Sequence, residues 1–115
     1  MCRSEWVMAT RRRFEVLGID LREAGAEMAY AEGEYRTADA WAWQVLDKDA
    51  YRERSWRLVM KTAGALGDEN RVLMAYRGCV QALTEIGTEP AVATQALVAK
   101  LRGLPSTTPS FPPRR

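Results

Sequence analysis

The sequence predicts an all-α protein, a stack of antiparallel helix hairpins with about five helices. Three observations carry that expectation. Apolar residues recur at i, i+3 and i+4 through most of residues 4–102, the spacing that lines up on one face of an α-helix. The breaks between these runs are only two to four residues long, which leaves successive helices side by side and antiparallel. The glycine–acid pairs Gly33-Glu34 and Gly67-Asp68 stand 34 residues apart and punctuate the runs in the same way.

The first helix is expected over residues 4–31. Val7, Phe14, Leu21 and Met28 repeat every seven residues, with Leu17, Ala24 and Ala31 between them. That is a narrow seam suited to one or two neighbouring helices. A seam buried in the core is expected, and an interface between two chains is the other geometry. Gly18 and Gly25 lie beside the seam. A glycine inside a helix costs about 0.5–1 kcal/mol relative to alanine, so a close-packed neighbour is expected at both. Arg11, Arg12 and Arg13 are consecutive, so they fan around the helix as a solvated face and do not form a nucleic-acid strip.

The second helix is expected over 35–48, with Ala38, Trp41, Ala42, Val45 and Leu46 as its apolar stripe. Trp43 lies about 200° around the helix from Trp41. It is expected to pack on a neighbouring helix, with an exposed partner-binding spot as the other reading. Asp49 is placed to cap the third helix, over 51–66. Residues 47–58 lack the ligand pattern of a calcium loop. In the third helix Trp56, Val59, Met60 and Ala63 form the stripe, and in the fourth, over 69–86, Val72, Tyr76, Cys79, Val80, Leu83 and Ile86 do so. Trp56, Val59, Tyr76, Val80 and Leu83 are the expected core. Gly87 suits the position just past a helix end, and Pro90 the first turn of a fifth helix over 91–102. Residues 1–103 form the expected helical domain. Residues 104–115 form a disordered proline-rich tail, in which Pro109, Pro112 and Arg114 fit a PxxP ligand only formally.

A 34-residue period is that of the tetratricopeptide repeat, a helix-turn-helix unit. In that register Ala29 matches Ala63, Ala38 matches Val72, Val45 matches Cys79 and Leu46 matches Val80, and Trp56 fills the tryptophan position of the repeat pattern.

Composition removes whole classes of chemistry. The chain has 115 residues and no histidine, so it lacks the commonest general base and metal ligand. Cys2 and Cys79 are the two cysteines, too few for a structural zinc site; a free thiol and a packing residue are expected. No catalytic residue, metal site or cofactor is expected, and the chain is not read as an enzyme. The start lacks the apolar block of a secretory signal, so a cytoplasmic protein is expected, with no membrane association. Net charge is +2. Residues 1–13 carry four bases and one acid (+3), residues 14–50 three and nine (−6), and residues 51–115 ten and five (+5).

The chain resembles the bacterial transcriptional activator domain, the tetratricopeptide-like part of the actinobacterial antibiotic regulatory protein family. The resemblance runs over about residues 5–102. Its carriers are Glu5-Trp6 with the arginines that follow, Gly33-Glu34-Tyr35, Val45-Leu46-Asp47-Lys48-Asp49 with Arg52-Glu53, Leu58-Val59-Met60, Gly67-Asp68 and Ala75-Tyr76. The most specific block is Leu83-Thr84-Glu85-Ile86-Gly87-Thr88-Glu89-Pro90, with Thr94 and Leu97. Ala50 departs from a proline in the family pattern, and Val72 from a more frequent alanine. The resemblance implies the accessory repeat domain of a transcriptional regulator, in which a winged-helix domain precedes this region; no room for one is expected ahead of Glu5.

The functional expectation is a protein–protein interaction or oligomerisation domain, with a protein partner or a second copy of the chain, and with DNA engaged only through a separate DNA-binding domain. A stand-alone helical-repeat adaptor unrelated to transcription and a weak direct DNA binder are the alternatives; no short recognition helix rich in Arg, Asn or Gln follows a tight turn. The candidate partner-binding residues are Trp43 and two charged stripes. Asp20, Glu23 and Glu27 stand 34 residues before Arg54, Arg57 and Lys61, and each trio has the three-then-four spacing of one helix face. Charged stripes most often belong to independent solvated faces, and that reading stands first. Beside it stands a ladder of acid–base contacts inside one groove, pairing Asp20 with Arg54, Glu23 with Arg57 and Glu27 with Lys61. A third geometry has the stripes meet between two chains.

Overall fold

The computed structural model describes residues 3–103, with side chains from residue 10 onward. Five helices account for most of them: α1 (Arg3–Ala31), α2 (Tyr35–Lys48), α3 (Glu53–Ala65), α4 (Glu69–Glu85) and α5 (Val92–Leu101), with no strand among the described residues. The expectations for Cys2 and for the tail lie outside that range.

Three of the helices end in the same way. The amide of Glu34 donates to the carbonyl of Ala29, that of Asp68 to Ala63, and that of Thr88 to Leu83, at 2.8–3.0 Å. In each case a glycine at φ near +80°, Gly33, Gly67 or Gly87, precedes the donor. This is the Schellman closure, in which a left-handed residue turns the chain back so that two orphan carbonyls are satisfied. The repeated glycine–acid punctuation of the sequence is therefore a repeated helix stop. Asp68 then caps α4 by accepting from the Arg71 amide at 3.1 Å.

Each helix packs on the next in sequence, and α3 also touches α1 and α5. Contacts between helices two apart are what stacked hairpins produce. The core lies around α3, where Leu58, Val59 and Met60 cluster with Ala42 and Leu46 of α2 and Ala75, Cys79 and Leu83 of α4. Trp56 is its anchor. The indole meets Trp43 edge-on, with ring centroids 5.5 Å apart and planes at 85°, and its Nε1–H donates to the Ala50 carbonyl at 2.7 Å. Gly78 supplies the floor, since a Cβ there would come within 2.7 Å of the Trp56 ring.

Several expectations are corrected. The seam of α1 is not buried: Phe14, Leu17, Leu21 and Met28 are all exposed, and α1 instead buries Ala26 and Ala29. The cause is that small residues let α2 approach, so the face that packs is Gly25-Ala26-Ala29 and the large side chains are left outside. Gly25 is close-packed as expected, under the Trp41 ring, but a Cβ on Gly18 would meet nothing within 4 Å. Trp41 consequently lies over the Gly25 flank and stays 42% exposed. Tyr76 and Val80 are mostly buried as expected, though less completely than Trp56, Val59 and Leu83. Asp49 does not cap α3, whose N-cap is Arg52; its carboxylate accepts from the Tyr51 amide at 3.1 Å and folds the α2–α3 turn. Pro90 stands two residues ahead of α5, outside its first turn, and its carbonyl accepts from Gln95 Nε2 at 2.9 Å.

Candidate functional site

The stacking of α1 beside α3 opens a groove of about 380 Å³ lined by Glu27, Tyr30, Arg54, Arg57, Leu58 and Lys61. Four of the seven residues singled out in the sequence meet there. Leu58 is buried at its base, while the charged side chains form its walls.

The acid and base stripes do face each other within one chain, but in a different register from the 34-residue overlay. Arg52, not Arg54, takes Asp20, at 2.7 Å, and also Glu23, at 3.3 Å. Glu23 accepts in addition from the Ser55 hydroxyl at 2.6 Å. Arg54 pairs with Glu27, and Lys61, expected opposite Glu27, instead lies 5.1 Å over the Tyr30 ring, a cation–π distance. Arg54 and Lys61 thus each meet a group nearer the C-terminus of α1 than the repeat-period partner, Asp20 or Glu27. Equivalent positions of two repeats share a face but not a height along the stack, and arginine reaches far enough to use the nearer acid.

Arg57 turns the other way. It lies 3.8 Å from Glu53 and donates to the Thr94 hydroxyl at 3.0 Å. Thr94 in turn donates to Glu53 at 2.5 Å, and the Ala91 amide donates to the same carboxylate oxygen at 2.6 Å. Glu53 therefore ties the start of α5 to α3, and Thr94 is fully buried in that contact. Trp43 lies outside the groove, in the core against Trp56.

Sequence reasoning missed Arg52 and Glu53 as the organising charges, although the pair had already stood out in the resemblance. Burial works against the Arg52 guanidinium, but hydrogen bonds to Asp20 and Asp49 and the charges of Asp20 and Glu23 outweigh it, so its pKa is raised. The buried Cys79 thiol is pushed up to about 11, first by desolvation and then by the Glu53 charge, against a smaller opposing effect of Arg57. Such a thiol is protonated at neutral pH and inert as a nucleophile.

Among the described residues no three His, Cys, Asp or Glu side chains come together as a metal-binding group. No helix among them is long and apolar enough to cross a membrane.

The sequence profile of the bacterial transcriptional activator domain matches residues 1–102. The chain belongs to that family. The helical stack is accordingly the fold of a bacterial transcriptional activator domain, and the protein carries a domain of transcriptional regulators. No curated protein and no solved structure matches this chain, so the roles of individual residues rest on the geometry above.

Proposed function

We propose that this activator domain works by protein–protein contact, taking a segment of a partner polypeptide into the α1–α3 groove. The observation that carries the reading is the state of the groove's charges. Glu27 holds Arg54, Glu53 and Thr94 hold Arg57, and Lys61 is left over the Tyr30 ring with no ion pair among the described residues. A wall of side chains fixed by internal pairs is pre-organised, which lowers the ordering cost of binding. The net balance suits a segment of low charge with one carboxylate set against Lys61. It does not suit the phosphate backbone, which demands several unpaired cations at once.

The test has two arms. A two-hybrid screen of bacterial genomic fragments against this domain is expected to return partners whose signal falls on Lys61→Glu, with the helical circular dichroism unchanged. Titration of a fluorescent duplex is expected to show no saturable binding even at low salt. Saturable, steeply salt-dependent duplex binding would overturn the reading, as would partners indifferent to Lys61→Glu and Arg57→Ala.

A further inference from the structure

A row of large apolar side chains on α1 is left exposed among the described residues. Phe14, Leu17, Leu21, Ala24, Met28 and Ala31 fall at alternating three- and four-residue steps and are all exposed, Phe14 to 67% and Leu21 to 73%. The other flanks of α1 are occupied. Gly25 lies under Trp41 of α2 and Arg22 donates to Gln44 of α2 at 2.7 Å, while Glu23, Glu27 and Tyr30 meet α3. A stripe of period 3.5 fits a second helix with the same repeat.

We propose that α1 is a self-association surface, along which two copies of this chain pair antiparallel. Three features of the helix select that occupant and that direction. In an antiparallel pair an a position faces a d position, so Phe14 of one copy meets Ala24 of the other and Leu17 meets Leu21. The largest side chain of the seam, Phe14, then packs against the small Ala24, whereas a parallel pair would set Phe14 on Phe14 and leave a gap between two Ala24 side chains. Arg13 and Glu27 lie on one flank of the seam, two heptads apart. Antiparallel pairing brings Arg13 of each copy to Glu27 of the other, while a parallel pair offers Arg13 only Gly18. Asp20 faces its own counterpart across the pair, and its charge is already met by Arg52 at 2.7 Å. Finally, Gly18 sits near the middle of the paired segment with open space where a Cβ would be. Among the described residues no neighbour requires a glycine there, and a second helix crossing at that point would.

Glu27 borders both surfaces, but the apolar seam itself lies outside the α1–α3 groove, so Leu21→Asp tests this inference and Lys61→Glu tests the groove reading. Sedimentation equilibrium over a concentration series is the first measurement. The mass is expected to climb from that of one chain, 13.0 kDa, toward twice that value. Leu21→Asp, at an exposed position, is expected to hold it at one chain with the melting curve intact, and Arg13→Glu to weaken association several-fold. Lys61→Glu is expected to leave association unchanged. Direction is read by oxidation in a Cys2→Ser background: Leu17→Cys mixed with Leu21→Cys is expected to cross-link, and each alone to remain uncross-linked. A single-chain mass at every concentration would overturn the second copy as occupant. Association untouched by Leu21→Asp would place the contact elsewhere, and cross-linking of each variant with itself would overturn the antiparallel direction.

Discussion

At the scale of the residue, stability concentrates where a ring is clamped. Trp56 is held by a hydrogen bond to Ala50, an edge contact with Trp43 and the floor at Gly78. Trp56→Ala is expected to cost about 3–5 kcal/mol, a large share of a small domain's stability, and thermal melts check it. Gly78→Ala is expected to cost about 1–3 kcal/mol, since the ring it would strike cannot swing aside. Gly64→Ala would strike the end of Leu101, a flexible side chain, and is expected to cost less in the same melts. Cys79 makes stability pH-dependent. Its folded pKa of about 11 lies above the unfolded value near 9.0, so its contribution is complete below pH 9. As pH rises toward 11 the unfolded chain loses its thiol proton first, and stability falls. Tyr51, raised by its hydrogen bond to Glu85 and by that residue's charge, acts in the same direction. Denaturant titrations from pH 8 to 11 are expected to show a decline that Cys79→Ala flattens and Tyr51→Phe flattens further.

At the scale of the element, the junction between α1 and α3 separates ion pairs that matter from those that do not. Glu23 keeps 14% of its side chain exposed and answers to Arg52 and Ser55. Arg54 is 66% exposed, where solvent screens its pair with Glu27. Arg52→Ala is expected to cost about 1–3 kcal/mol, because a half-buried carboxylate loses its counter-charge, and Arg54→Ala no more than about 0.5 kcal/mol. Urea titrations of the two variants check the contrast, and equal costs would contradict it. Much of this level was legible in advance. The five helices start and stop within about two residues of expectation, because glycine at positive φ and an apolar period of 3.6 are local properties. Which acid meets which base was not legible. The overlay of two repeats equates positions on a face, while partner choice depends on the offset between helices and on side-chain reach. The exposed seam was misread for a related reason. Periodicity marks where apolar residues line up, and Gly25-Ala26-Ala29 shows that a helix can pack through its smallest residues instead.

At the scale of the whole molecule, the length of α1 is the governing fact. Its 29 residues span about 43 Å against about 21 Å for α2, so its N-terminal half runs past its neighbour and residues 11–18 are exposed without a gap. If two copies pair there, stability depends on concentration through mass action. Gly18→Ala then has two opposite effects. It is expected to stabilise the single chain by about 0.5–1 kcal/mol through helix propensity, raising the melting temperature in dilute solution. In concentrated solution it is expected to erase the extra stabilisation the unmodified chain gains, and calorimetry at two concentrations reads both. The sequence by itself determined the helix boundaries, the shared helix-stop motif, the family and the absence of histidine chemistry, because these follow from short-range sterics and residue type. The tertiary structure alone decided which face of α1 packs, that Arg52 and Glu53 are the clamps of the groove, and that Lys61 is left to a tyrosine ring. Those outcomes depend on how far one helix is displaced along another, a long-range quantity that no local pattern encodes.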